Sequence, residues 1–85
     1  MKETMTFMSV SNDRINEALS RQGRWNHLFD IQFIKKDGFT CVVFKDHEKP
    51  EFSFRTSPIM GIIETHYFDF DTVTIKTKNN KYVLF

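Results

Sequence analysis

The 85-residue chain holds one cysteine, two prolines, three glycines and one tryptophan. With Cys41 alone, no internal disulfide staples the fold. Gly23, Gly38 and Gly61 each stand singly, which excludes a glycine-rich phosphate cradle and a dinucleotide-binding fingerprint. None of Ser9, Ser11, Ser20, Ser53 and Ser57 sits in the glycine-framed elbow of a hydrolase nucleophile. No run approaches the roughly 18 apolar residues of a membrane helix. Residues Met1 to Met8 lack the apolar stretch of a secretory signal, so a cytoplasmic location is expected. Twelve basic and 11 acidic side chains leave a net charge of +1, which excludes a strongly basic nucleic-acid coat protein and a strongly acidic DNA mimic. A local patch of either sign remains compatible with that balance.

What the chain does have is phenylalanine, ten of them, enough for the core of one domain over residues 1–85. One helix is expected over about residues 12–22. Ser11 can cap its start and Val10 can staple onto Ile15. Ile15, Ala18 and Leu19 then recur at helical spacing, and Gly23 can take the left-handed conformation that closes a helix.

From His27 onward the period changes to two. Asp37-Gly38 is a strong hairpin signal, because both central residues of the favoured turn need positive φ. A hairpin over 27–45 would set Phe33 opposite Val42, Ile31 opposite Phe44, Asp30 opposite Lys45 and Ile34 opposite Cys41. One register thus yields both an apolar face and an opposite-charge pair. Further strands are expected at about 51–56, 72–78 and 81–85. Residues 59–66 read either as a helix opened by Ser57-Pro58 or as a strand, with the β-branched isoleucines favouring the strand. Asp69-Phe70-Asp71 reads as a loop. Asn79-Asn80 reads as a tight turn that sets Ile75 opposite Leu84 and Thr77 opposite Tyr82. The expected fold is α+β: one N-terminal helix packed on a curled antiparallel sheet, or a partly open small barrel, of five to six strands.

Candidate chemistry is sparse. His66, Asp69 and Asp71 are the best metal trio, yet Phe68 and Phe70 interleave with them as in an ordinary solvated loop; no metal and no cofactor is expected. An 85-residue sheet with one helix leaves little room for a deep pocket, so no enzyme is expected.

Two binding readings remain. Trp25, Phe39, Tyr67, Phe68, Phe70 and Phe85 exceed what so small a core can bury, and aromatics left at a surface near arginine have the composition of binding hot spots. Arg24, Trp25, Phe39, Tyr67, Phe68 and Phe70 are therefore the candidate protein-contact residues, with Trp25 open to the alternative of closing the core. Lys35, Lys36, Lys76, Lys78 and Lys81 cluster at the two hairpin ends, with Arg14, Arg21 and Arg24 on or after the helix. If these share one side, they form a basic patch on which Phe39 or Tyr82 offers a stacking surface for unpaired bases. Lysine at hairpin ends also serves simply to discourage edge pairing. Glu64, Asp69 and Asp71 make an acidic stretch against that basic hairpin, a charge asymmetry suited to steering a partner. A homodimer through the C-terminal strand is a third arrangement, with Val83 and Phe85 on its outer face.

The stretches Phe52-Ser53-Phe54-Arg55-Thr56-Ser57-Pro58-Ile59 and Val73-Thr74-Ile75-Lys76-Thr77-Lys78-Asn79-Asn80-Lys81-Tyr82-Val83-Leu84 resemble short proteins carried by phages and mobile elements of low-GC bacteria. The resemblance lies in the C-terminal half, in strand-and-turn pattern, and carries no catalytic residue across. It implies a protein that acts in the host cytoplasm by binding and blocking a host protein, such as a defence nuclease or a transcription or replication enzyme.

Overall fold

A computed structural model describes all 85 residues. In chain order the elements are β1 (Thr4–Met5), β2 (Phe7–Val10), α1 (Asp13–Arg21), β3 (Phe29–Lys36), β4 (Phe39–Asp46), β5 (Ser53–Arg55), β6 (Ile59–His66), β7 (Asp71–Thr77) and β8 (Lys81–Leu84). The α+β class is as expected, but the single curled sheet is not. The strands form two antiparallel sheets of four, ordered β1-β3-β4-β5 and β2-β8-β7-β6, and no barrel closes.

The difference arises before the helix, where sequence reading placed no strand. Residues 4–10 contribute one strand to each sheet. The chain changes sheet at Thr6, whose N–H and C=O both pair with Phe85 at 2.8 and 2.9 Å. A register shift between Phe7 and Ser9 leaves Phe7 and Val10 buried and Met8 and Ser9 exposed, so the period-two signature of a strand is broken. The second change of sheet falls between β5 and β6. There the Thr56 N–H donates to Val42 O at 2.9 Å, and the Thr56 hydroxyl accepts the Val42 N–H at 3.1 Å.

The β3–β4 hairpin has the register expected of it, including Phe33 with Val42 and Asp30 with Lys45. Asp37 and Gly38 carry the two positive φ values, 54° and 82°. Residues 59–66 form a strand, β6. The last hairpin is shifted: Ile75 lies opposite Tyr82 and Val73 opposite Leu84. Thr77 and Asn80 are its closing pair, with the Thr77 N–H on Asn80 O at 2.8 Å and the Asn80 N–H on Thr77 Oγ1 at 3.1 Å. The threonine hydroxyl satisfies the turn, so Lys78-Asn79 becomes the two-residue loop in place of Asn79-Asn80.

This register and β2 together remove the edge expected of the C-terminal strand. β8 pairs with β7 on one side and β2 on the other, so it is an inner strand of its sheet.

The core lies between the sheets and is built from phenylalanine. Phe7 of β2 meets Phe29 and Phe44 of the facing sheet edge-on, each at a centroid distance of 4.9 Å. Val42, Val73, Ile75, Tyr82 and Leu84 complete it. The helix adds Leu19, fully buried, and Ile15 against the same cluster. Its cap is Asn12 and not Ser11: the Asn12 Oδ1 accepts the Ile15 N–H at 3.0 Å. At the other end Gly23 has φ 65°, its N–H bonds Ser20 O, and the Arg24 N–H bonds Leu19 O at 2.8 Å. These are the two paired bonds of a left-handed glycine closure, as the sequence indicated.

Candidate interaction surface

β6 is the outermost strand of its sheet and pairs with β7 alone. Its run Ile59-Met60-Gly61-Ile62-Ile63 is apolar at successive positions, so it carries apolar side chains on both faces while only one faces the core. Ile59 packs against the core, but Met60, Ile62 and Ile63 are exposed. A bulge between Ile59 and Gly61 places Met60 outside the regular pairing.

The β6–β7 turn continues this surface. The Tyr67 N–H donates to Phe70 O at 2.8 Å, making Phe68-Asp69 the two-residue loop. Tyr67 and Phe70 stack on one another at a centroid distance of 4.9 Å, and Phe68 stands wholly exposed at the tip. His66 Nδ1 lies 2.8 Å from Asp71 Oδ1 and ties the strands at the base of the turn. Asp69 stays outside that pair, and nowhere do three His, Cys, Asp or Glu side chains converge in a way that could hold a metal ion. β7 begins at Asp71, so the expected loop 69–71 is one residue further along than the actual turn.

Twelve large hydrophobic side chains are exposed in the whole molecule, and six of them, Met60, Ile62, Ile63, Tyr67, Phe68 and Phe70, fall within this one strand and turn. Asp69 adds a carboxylate at the turn, whereas Glu64 is already paired with the Met1 amino group at 2.9 Å. Sequence reading named the three aromatics but missed Met60, Ile62 and Ile63. The available signal was the unbroken apolar run, which an edge strand in a two-sheet fold cannot bury on both faces.

The other candidate contact residues lie elsewhere. Trp25 is half-buried against the core, and its Nε1–H donates to Ser20 Oγ at 2.9 Å. Arg24 is committed to Asp46, a fully buried carboxylate at the end of β4, with Nη1 at 3.5 Å from Oδ2. Asp46 Oδ1 accepts the N–H groups of Glu48 and Lys49 at 2.9 and 3.0 Å, and His27 Nδ1 lies 3.3 Å from Oδ2. Burial pushes the Asp46 carboxyl up, but the two N–H bonds and the charges of His27 and Arg24 outweigh it and hold the group below the usual aspartate range. Phe39 is exposed at the opposite end of β4.

The lysines do not form one patch. Lys76 and Lys81 face each other on the outer side of their sheet, because their neighbours Ile75 and Tyr82 point inward. Lys36, paired with Phe39, projects from the outer side of the other sheet, since Val42 and Phe44 are its inward residues. Lys35 lies beside it in the same hairpin, and Lys78 occupies the last turn. Arg24 is drawn away to Asp46. Tyr82 is buried, so it offers no ring for stacking. Cys41 is buried in β4 as a free thiol.

No helix of the chain is long and apolar enough to cross a membrane. Comparison with protein-family models, curated proteins and solved structures finds no match to this chain.

Proposed function

We propose that the chain is a non-enzymatic protein-binding module whose contact surface is the β6 edge and the aromatic turn Tyr67–Phe70. One observation carries this reading: half of the exposed large hydrophobic side chains are concentrated on that single strand and turn. An edge strand presents unpaired N–H and C=O groups to which an extended segment can add, while its side chains supply specificity. Tyr67 and Phe70, already stacked, present a rigid aromatic platform with little ordering cost on binding. The Asp69 carboxylate at the turn favours a partner whose apolar segment carries a lysine or arginine beside it. The resemblance of the C-terminal half to small phage proteins supports a host protein as that partner and inhibition or modulation as the outcome.

The test is capture from nuclease-treated bacterial lysate with the wild-type chain, Ile63→Lys and Phe68→Ala in parallel. Both variants alter exposed side chains and should keep the wild-type circular dichroism. A host protein retained by the wild type should be reduced at least tenfold by each variant, which corresponds to the roughly 1.4 kcal/mol or more expected of a contact hot spot. Equal retention by all three would remove β6 and its turn as the contact surface.

A further inference from the structure

On the outer side of the other sheet lies a second feature that the edge-strand surface does not use. A groove of about 340 Å³ opens beside the β3–β4 turn, with Lys36, Phe39, Arg55 and Ser57 around it and the buried Cys41 and Thr56 in its lining. The pairing register explains the assembly. Phe39, Cys41 and Val43 alternate outward along β4, Lys36 pairs with Phe39 across to β3, and Arg55 pairs with Val43 across to β5. The exposed Lys78 is not in the lining, but its backbone is held next to the groove's Pro58. The Lys78 N–H donates to Pro58 O at 2.9 Å and the Asn79 N–H to Ser57 Oγ at 3.2 Å, which seats the last turn against the Ser57-Pro58 link.

These cations are uncommitted. The ion pairs of the molecule engage Arg21, Arg24, the three histidines and the Met1 amino group, and none includes Lys36, Arg55 or Lys78. Phe39 is 61% exposed, a ring face held out by a hairpin whose turn is fixed by Asp37 and Gly38. Asp37 also borders the groove, but it has no ion-pair partner, and its own φ of 54° accounts for an Asp at that place in the turn.

An exposed ring flanked by unpaired cations matches one ligand chemistry closely: a phosphodiester chain whose bases are free to stack. We propose that this groove binds single-stranded nucleic acid, with a base on Phe39 and the backbone phosphates on Lys36, Arg55 and Lys78. A duplex would hide the base faces that the phenyl ring needs, so the preference is for unpaired strands. The groove adjoins the start of β6, where Pro58 precedes Ile59, but the aromatic turn lies about 25 Å further along at strand spacing. Variants at Phe39 and at Ile63 therefore separate the two readings.

The experiment is fluorescence anisotropy with labelled oligothymidylate and oligouridylate of about a dozen nucleotides. Titrations use the full chain at several salt concentrations, with a duplex of the same length and polyglutamate as competitors. Binding to either oligonucleotide should weaken with a log–log salt slope of about −2, as three phosphate contacts imply. Phe39→Ala should weaken it about tenfold through loss of stacking, and the double variant Lys36→Gln/Arg55→Gln should weaken it and flatten the salt slope. Ile63→Lys should leave it unchanged. Absence of binding at low salt overturns the proposal. So does equal competition by the duplex or by polyglutamate, or binding that both the Phe39 and the double variant leave intact.

Discussion

Arg24 reaches from the end of the helix to Asp46 at the end of β4, and Nη1 and Oδ2 meet at 3.5 Å where the carboxylate has no exposed surface. The pair closes the fold at that end, but the carboxylate is held mainly by the N–H groups of Glu48 and Lys49. Asp46→Ala removes those acceptors and strands the guanidinium, for a cost of about 3 kcal/mol in urea unfolding.

Acid should act on the same group with a defined sign. The folded-state pKa of Asp46 lies below the ordinary 3.8, so the unfolded chain binds the proton more readily. The stability contributed by the ionised group is fully present above pH 3.8 and is lost as pH falls through the lower folded-state value. Asp46→Asn keeps an acceptor for the two N–H groups but has no charge to lose. The stability gap between wild type and Asp46→Asn should be flat at neutral pH and should shrink below 3.8. A gap constant to the onset of acid unfolding would show that the charge on Asp46 contributes nothing.

Thr56 joins the sheets at their second crossing, where its hydroxyl accepts the Val42 N–H at 3.1 Å and donates to Ser57 O at 2.8 Å. Thr56→Val keeps the volume and leaves the N–H of a fully buried residue without a partner. It should cost about 1–3 kcal/mol, and Thr56→Ser should restore most of that. Similar losses for both variants would indicate packing at Thr56 in place of the hydrogen bond.

At the β3–β4 turn the cost of substitution should be purely one of backbone. A Cβ added at Gly38 meets nothing within 4 Å, yet φ is 82°. Gly38→Ala should therefore destabilise by about 1 kcal/mol through conformation alone. Asp37→Asn, a residue equally tolerant of the left-handed region, should be close to neutral. A neutral Gly38→Ala would mean that the turn rearranges freely.

That turn is also where the sequence was most legible. Asp37-Gly38 and the alternation around it specify one register, because slipping by one residue would turn Val42 and Phe44 to solvent and Lys45 inward. Legibility failed where alternation is interrupted. The register shift between Phe7 and Ser9 hides β2, and without β2 the C-terminal strand looks like an edge and one sheet looks sufficient. At the last turn the deciding group is a side chain, the Thr77 hydroxyl, which outweighs the local preference of Asn79-Asn80 for the left-handed region. The proposed interaction surface was half legible for a related reason. Composition indicated more aromatics than the core holds and so pointed to Tyr67, Phe68 and Phe70. The exposure of Met60, Ile62 and Ile63 depends on which strand is outermost, a property of topology that no local pattern encodes.

Trp25 is the residue on which the two meanings of a surface aromatic separate. Its ring packs against the core, and its indole N–H is already satisfied by Ser20. Trp25→Phe keeps one aromatic ring but loses the fused five-membered ring and one hydrogen bond, which should cost about 1 kcal/mol. Trp25→Ala removes a half-buried aromatic at the junction of helix and sheets and should cost about 2 kcal/mol, below the range for a fully buried tryptophan. As the chain's one tryptophan, it also reports directly: wild-type emission should shift to longer wavelength in the same urea transition that circular dichroism follows. Partner capture by Trp25→Ala under conditions where it is folded should match the wild type, because β6 and its turn are untouched. A Trp25→Ala chain with the wild-type unfolding midpoint and no captured partner would reverse the assignment, making the indole a contact and moving the binding surface from β6 to the end of the helix.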